Sequence, residues 1–297
     1  MFRSTLGCAV LFAGAALLGP SAGVTAAAAG PAAPGYWLAG ADGGVFAFGA
    51  PFLGSGTGSP CNFLPPGPSP PLPECVGIAA DPVGAGYWLL NGSRTAMPYG
   101  GAAFEPMSCT SLNGAAGQWS GMATALDGHG FWLVSGNGGV MGCGSMPEPL
   151  GGTTQLSLAA PIVGMAATPD RGGYWLVGAD GGVFAFGDAP FLGSAAGLGL
   201  NRPIVAIAAT PSGRGYWLVA ADGGVFAFGD APYGGSLAGL RLQAPVVGIA
   251  ANPSGPGYWL AAADGGVFGL GGAPFEGSMS GRVLGGPIVG IAAAPGT

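Results

Sequence analysis

GYWLVGADGGVFAFGDAPFLGS, from Gly173 to Ser194, decides the fold, because most of the chain consists of copies of it. Its tryptophan recurs as Trp37, Trp88, Trp132, Trp175, Trp217 and Trp259, at spacings of 51, 44, 43, 42 and 42 residues. A fixed period of this size marks a repeat architecture, in which each unit buries its apolar faces against its neighbours. Within one unit, the runs Ile162 to Thr168, Gly173 to Ala179, Gly182 to Gly187 and Pro190 to Gly193 each end at turn residues. They predict four antiparallel strands, a to d.

Four strands in 42 residues is the size of a β-propeller blade. Asp180-Gly181-Gly182 predicts a two-residue type I′ hairpin turn between b and c. That turn places Trp175, Val177, Phe184 and Phe186 on one face, against the next blade, and Tyr174, Leu176, Val183 and Ala185 on the other. The first copy opens on strand b at Gly35-Tyr36-Trp37, and the chain closes on a strand a, Ile288 to Ala293, with no b after it. The fold expected is therefore all-β: a six-bladed β-propeller of four-stranded antiparallel blades, its first blade closed by the C-terminal strand. Such closure leaves no open edge in the ring.

Composition agrees. The 64 glycines and 28 prolines of the 297 residues would suggest disorder if they had no period, but here they punctuate the strands. Charged residues make up 7% of the chain, all seven basic residues are Arg, and the net charge is −6. Without a basic stripe to neutralise phosphates, nucleic acid and anionic membrane surfaces are disfavoured as partners.

The N-terminus carries Arg3, an apolar run from Leu6 to Leu18 and small residues up to Ala29, the order of a secretory signal peptide over 1–29 cleaved near Ala29. No later segment has the uninterrupted apolar length of a membrane span. The expectation is a single propeller over 30–297, with a Pro-rich insertion at 56–74, that is secreted or cell-wall associated and monomeric. Cys8 leaves with the signal, so Cys61, Cys75, Cys109 and Cys143 remain in an oxidising compartment. Of the three pairings open to them, Cys61 with Cys75 and Cys109 with Cys143 are favoured. A zinc site needs closer ligand spacing than theirs.

GYWLVGADGGVFAFGDAPFLGS, together with PIVAIAATPSGRGYWLV from Pro203 to Val219, resembles the tandem repeat of secreted actinobacterial proteins whose units are read as propeller blades, sometimes attached to cell-wall enzymes. The resemblance covers nearly all of Gly35 to Thr297. It implies fold and export, and no activity. Two copies depart from it, at Ser93-Arg94-Thr95 in the second and Met141-Gly142-Cys143 in the third.

An up-down blade puts the b to c turns, with Asp42, Asn137, Asp180, Asp222 and Asp264, on the same face as Arg202, Arg241, Arg282 and the insertion. Arg171, Arg214, Asp188, Asp230 and the lone histidine, His129, fall on the other. The six repeated tryptophans read as core. The aspartates of the turns read as turn chemistry, since calcium needs six to eight oxygens around one point. The innermost strands, such as IVGMAAT, carry no titratable residue to serve as general acid or base.

The reading is a non-catalytic binding or structural module at the cell envelope, with no metal and no cofactor and with an envelope protein or carbohydrate as partner. Its candidate partner surface is Arg94, Tyr99, Phe104 and Trp119, positions that depart from the repeat; for Trp119 the competing explanation is simple packing. The alternative is a propeller-type hydrolase or lyase acting on an envelope polysaccharide or ester. It would rely on Asp81, Asp127 and Asp170 at one channel mouth.

Overall fold

The computed structural model describes residues 35–57, 75–83, 86–91, 96–102, 109–111, 119–124, 130–144 and 146–295. The signal peptide expected over 1–29 and most of the 56–74 insertion lie outside the described residues. Nineteen strands and no helix are present among the described residues, arranged in six antiparallel sheets.

Blade 1 contains β1 (Tyr36–Gly40) and β2 (Val45–Phe48), and its inner strand is the last of the chain, β19 (Ile288–Ala293), in the order β19-β1-β2. Tyr36 lies opposite Ala293 and Leu38 opposite Ile291, so the C-terminal strand completes the first blade as the unbalanced ends of the sequence implied. Blade 2 is β3 (Cys75–Asp81), β4 (Gly86–Asn91) and β5 (Ala96–Gly100). Blade 3 is β7 (Trp119–Thr124), β8 (Gly130–Ser135) and β9 (Val140–Gly144), with β6 (Cys109–Ser111) added outside β9. Blades 4 to 6 are β10 (Ile162–Ala167), β11 (Gly173–Gly178), β12 (Val183–Gly187); β13 (Ile204–Ala209), β14 (Gly215–Ala220), β15 (Val225–Gly229); and β16 (Val246–Ala251), β17 (Tyr258–Ala262), β18 (Val267–Leu270). The inner strands touch in the cyclic order β3, β7, β10, β13, β16, β19 and back to β3. The ring closes, while each sheet stays open at its outer edge.

The expected fourth strand is corrected. Among the described residues five sheets have three strands and that of blade 3 has four, and its fourth is β6, not the run after β9. The segment read as strand d instead stitches one blade to the next. In Pro190 to Gly193, the Pro190 carbonyl accepts the indole N–H of Trp175 in its own blade at 2.8 Å, and the Gly193 carbonyl accepts the hydroxyl of Tyr216 in the following blade at 2.6 Å. Pro190 has no N–H to give a ladder. Gly193 sits at φ +131°, where a Cβ would stand 2.5 Å from the Phe228 ring. The same stitch runs from Pro232 and Gly235 to Trp217 and Tyr258, and from Pro274 and Gly277 to Trp259 and Tyr36. Blade 3 carries Phe131 where the other blades have this tyrosine, and so lacks the hydroxyl.

The hairpin turn is corrected as well. Gly178 N–H donates to Gly182 O and Gly181 N–H to Gly178 O, which makes a three-residue connection in which Gly181 alone takes positive φ, at +85°. Asp180 anchors it by accepting the Gly182 N–H at 3.0 Å on Oδ1. The register therefore shifts by one residue from the expected one: Trp175 lies opposite Ala185, Leu176 opposite Phe184 and Tyr174 opposite Phe186. Because side chains alternate with period two, that single step moves every strand c side chain to the other face. One face is Trp175, Val177, Val183 and Ala185, and the other is Tyr174, Leu176, Phe184 and Phe186.

The two faces are complementary. Trp175 and Val177 of blade 4 pack on Tyr216, Leu218, Phe226 and Phe228 of blade 5, and the pattern repeats around the ring. Each interface centres on a tilted aromatic pair with centroids 5.0 to 5.4 Å apart, such as Trp37 with Tyr87 and Trp175 with Tyr216, except for Trp88 with Phe131 at 6.0 Å. Trp259 on Tyr36, at 5.2 Å, joins the last blade to the first. Pairs of this kind add about 0.5 to 1.5 kcal/mol beyond area burial.

Candidate functional site

The turns on the b to c face hold their acidic residues in place. Oδ1 of Asp42, Asp180, Asp222 and Asp264 accepts the N–H two residues on, at 2.9 to 3.0 Å, and Asn137 does the same at 3.2 Å. Among the described residues no three His, Cys, Asp or Glu side chains gather as a metal would require. On the opposite face Arg214 meets Asp230 at 3.7 Å, and Asp230 also accepts hydrogen bonds from Thr210 and Ser212.

The inner strands end on that second face in a cavity of about 430 Å³ lined by Met122, Thr124, Met165, Thr168 and Thr210 with alanines and prolines. Thr168 is turned into the backbone, its hydroxyl accepting the Gly173 N–H at 2.9 Å. Of the three aspartates named for the hydrolase reading, Asp81 is buried and caps its own turn through Val83 N–H. Asp170 is exposed, its carboxyl held below the ordinary carboxylate range first by the Thr168 hydroxyl and then by the Gly172 N–H. Asp127 lies outside the described residues, as does His129.

Of the candidate partner surface, Tyr99 and Trp119 lie among the described residues. Trp119 is 3% exposed: it opens β7 and packs in the interface of blades 2 and 3 with Trp88, Phe131 and Cys143. Its expected exposure is corrected, because the first residue of an inner strand faces the neighbouring blade. Tyr99 is half-buried, with its ring stacked on Tyr87 at 5.5 Å. Arg94 and Phe104 lie outside the described residues. Cys75 and Cys143 are each half of a disulfide, and Cys109 lies directly across the ladder from Cys143; Cys61 lies outside the described residues.

Four exposed aromatics escaped the sequence reading. Phe52, Phe191, Tyr233 and Phe275 occupy one repeat position, just after the linker proline, and are 61 to 63% exposed at the outer edge of blades 1, 4, 5 and 6. Their signal was available: an aromatic recurring in a segment whose ladder role is ruled out by the proline before it.

Buried phenols give the scaffold a pH limit. Burial pushes the hydroxyls of Tyr87 and Tyr174 up to about 12, and those of Tyr36, Tyr216 and Tyr258 also rise above their ordinary value near 10. The folded state thus holds protons that the unfolded chain releases. The stability that Tyr87 and Tyr174 contribute is whole below pH 10 and is lost as pH rises through about 12, and that of the other three is likewise lost above pH 10. Thermal melts in this window should show a falling midpoint, with tyrosinate absorbance appearing together with unfolding. Ionisation of these five buried phenols near pH 10 in the still folded protein, read in a Tyr233→Phe variant that removes the exposed tyrosine, would contradict it.

These features define a β-propeller with six blades. No family model matches the chain, and no curated protein matches it. Among solved structures, a chain in the crystal structure of a nidogen/laminin complex is similar, at 12% identity and a TM-score of 0.53, covering 88% of this chain and 98% of that one. The β-propeller domain of Myceliophteria thermophila Cps50 (Swd1) matches at 10% identity and a TM-score of 0.44, covering 70% of this chain and 87% of that one. Among the described residues no helix is long and apolar enough to cross a membrane.

Proposed function

We propose that the protein is an exported, non-catalytic β-propeller that acts as a binding or structural module at the cell envelope. In this reading residues 1–29 direct export and are removed, and 30–297 form the working domain. Cys61 pairs with Cys75 and Cys109 with Cys143 in the oxidising compartment. The observation that carries the reading is the exposed aromatic retained once per blade in blades 1, 4, 5 and 6, where no packing explains it. Aromatic side chains on a rigid scaffold supply contact area at little entropic cost. A chain of similar fold occurs in a nidogen/laminin complex, which agrees with use of such a fold in assemblies.

The test is retention of residues 30–297 on isolated cell-wall polysaccharide and on envelope extract. Retention is expected, with a loss of tenfold or more in the triple variant Phe191→Ala, Tyr233→Ala, Phe275→Ala. A protein lacking residues 62–74 separates a role for the insertion from one for the rim. No retention of the unaltered protein on either material would overturn the binding reading.

A further inference from the structure

On the b to c face, blade 5 carries a cleft of about 520 Å³ lined by two arginines, one from each of two successive linkers: Arg202 precedes β13 and Arg241 precedes β16. Asp222, Gln243, Leu240 and Leu242 complete the wall. Its floor is a fixed backbone bridge, in which Ala221 N–H donates to Pro203 O and Val246 N–H to Ala221 O, both at 2.9 Å. Arg202 and Arg241 are exposed and have no ion pair among the described residues. Asp222 uses Oδ1 on its turn, and among the described residues Oδ2 takes no hydrogen bond.

The repeat supplies its own control. Equivalent linker hydrogen bonds, Leu156 to Thr153, Leu198 to Ala195, Leu240 to Leu237 and Arg282 to Met279, align the four linkers residue by residue. At the position of Arg241 the others have Ser157, Gly199 and Val283; at the position of Arg202 they have Ala160, Ala244 and Gly286. Turn and packing residues stay on the repeat, so neither arginine is needed for the fold. The matching cleft on blade 4, where Gly199 stands in place of Arg241, is only about 270 Å³.

We infer that this cleft binds an acidic saccharide, its oxyanion held between Arg202 and Arg241. Paired guanidinium groups suit a carboxylate or phosphate through charge-assisted hydrogen bonds. Sugar hydroxyls donate to Asp222 Oδ2 and to the Gln243 carboxamide oxygen, and the leucines meet the C–H face of the ring. A ligand of one or two sugar units matches the volume of ordinary small-molecule sites. The assignment names a ligand class for the binding module proposed above and rests on that reading.

The experiment is calorimetric titration of residues 30–297 with a glucuronate tetrasaccharide and, separately, with glucose 1-phosphate, against the neutral glucose tetrasaccharide. Binding of either acidic probe, weakened by salt and by about tenfold or more in both Arg202→Ala and Arg241→Ala, is expected; which probe binds tells carboxylate from phosphate. Arg282→Ala, an exposed arginine outside the cleft, should bind as the unaltered protein does. No binding of either acidic probe, equal binding of the neutral sugar, or an equal loss in Arg282→Ala overturns the inference. Envelope retention that survives in Arg202→Ala/Arg241→Ala would sink this site and leave the module reading intact, whereas failure of all envelope retention strikes the module reading itself.

Discussion

A chain ending at residue 286 is expected to lose cooperative folding, and a peptide of residues 287–297 added in trans is expected to restore it. The truncation removes β19, the inner strand of blade 1. Ile288 and Ile291 leave the cluster that joins blade 6 to blade 1, where they pack with Tyr36, Leu38 and Trp259. Burying each isoleucine is worth about 1.5 to 3 kcal/mol, before the lost ladder is counted. Five register pairs between β1 and β19 also go, together with the bonds from Ala41 N–H to Pro287 O and Ala294 N–H to Gly35 O. Native domains are in general stable by only about 5 to 15 kcal/mol, so the loss of this one strand is expected to decide whether the ring closes. Tryptophan fluorescence through a urea titration reads the result. A truncated chain with the same midpoint and slope as the full one would show that the closure carries no stability.

Replacing Trp175 with alanine is expected to cost about 3 to 5 kcal/mol, the usual range for a large buried aromatic. Trp175 is fully buried between blades 4 and 5, faces Tyr216 at 5.4 Å and donates to Pro190 O at 2.8 Å. The indole bond can be isolated by comparing blades. Trp175→Phe should destabilise by about 1 kcal/mol more than Trp132→Phe, because the Trp132 indole nitrogen has no hydrogen-bond partner among the described residues. Tyr216→Phe removes one hydroxyl from a seat that blade 3 already fills with Phe131, and should also cost about 1 kcal/mol. Equal losses in Trp175→Phe and Trp132→Phe, measured by chemical denaturation, would refute the role given to the linker carbonyl.

The two corrections to the fold come from particular atoms. The Asp-Gly-Gly triplet is compatible with either a two-residue or a three-residue connection, and no local feature of Asp180 to Gly182 chooses between them. The choice is made by packing, since only the observed register places Phe184 and Phe186 beside Tyr174 and so against Trp132 of the previous blade. Likewise, Pro190 to Gly193 has the composition of a short strand. It is drawn out of the ladder because its carbonyls are claimed by an indole in one blade and a phenol in the next.

Trp119 shows the limit of arguing from departure. Lying outside the repeated tryptophan position, it looked free for a partner, yet it fills the interface between blades 2 and 3. The rim aromatics show the converse, because they follow the repeat and are nonetheless exposed.

Sequence alone determined the period, the six blades, the strand positions a to c, the turn aspartates and the closing of blade 1 by Ile288 to Ala293. Each follows from local chemistry: alternation of apolar residues, the conformational demands of Gly and Asp in turns, and a count of strands at the two ends. Tertiary structure alone decided which face each strand c side chain takes, what the linkers bind, and that Arg202 and Arg241 line one cleft. Those outcomes depend on contacts between residues far apart in the chain, and the hydrogen-bonding and steric terms that settle them exist only once neighbouring blades are in place.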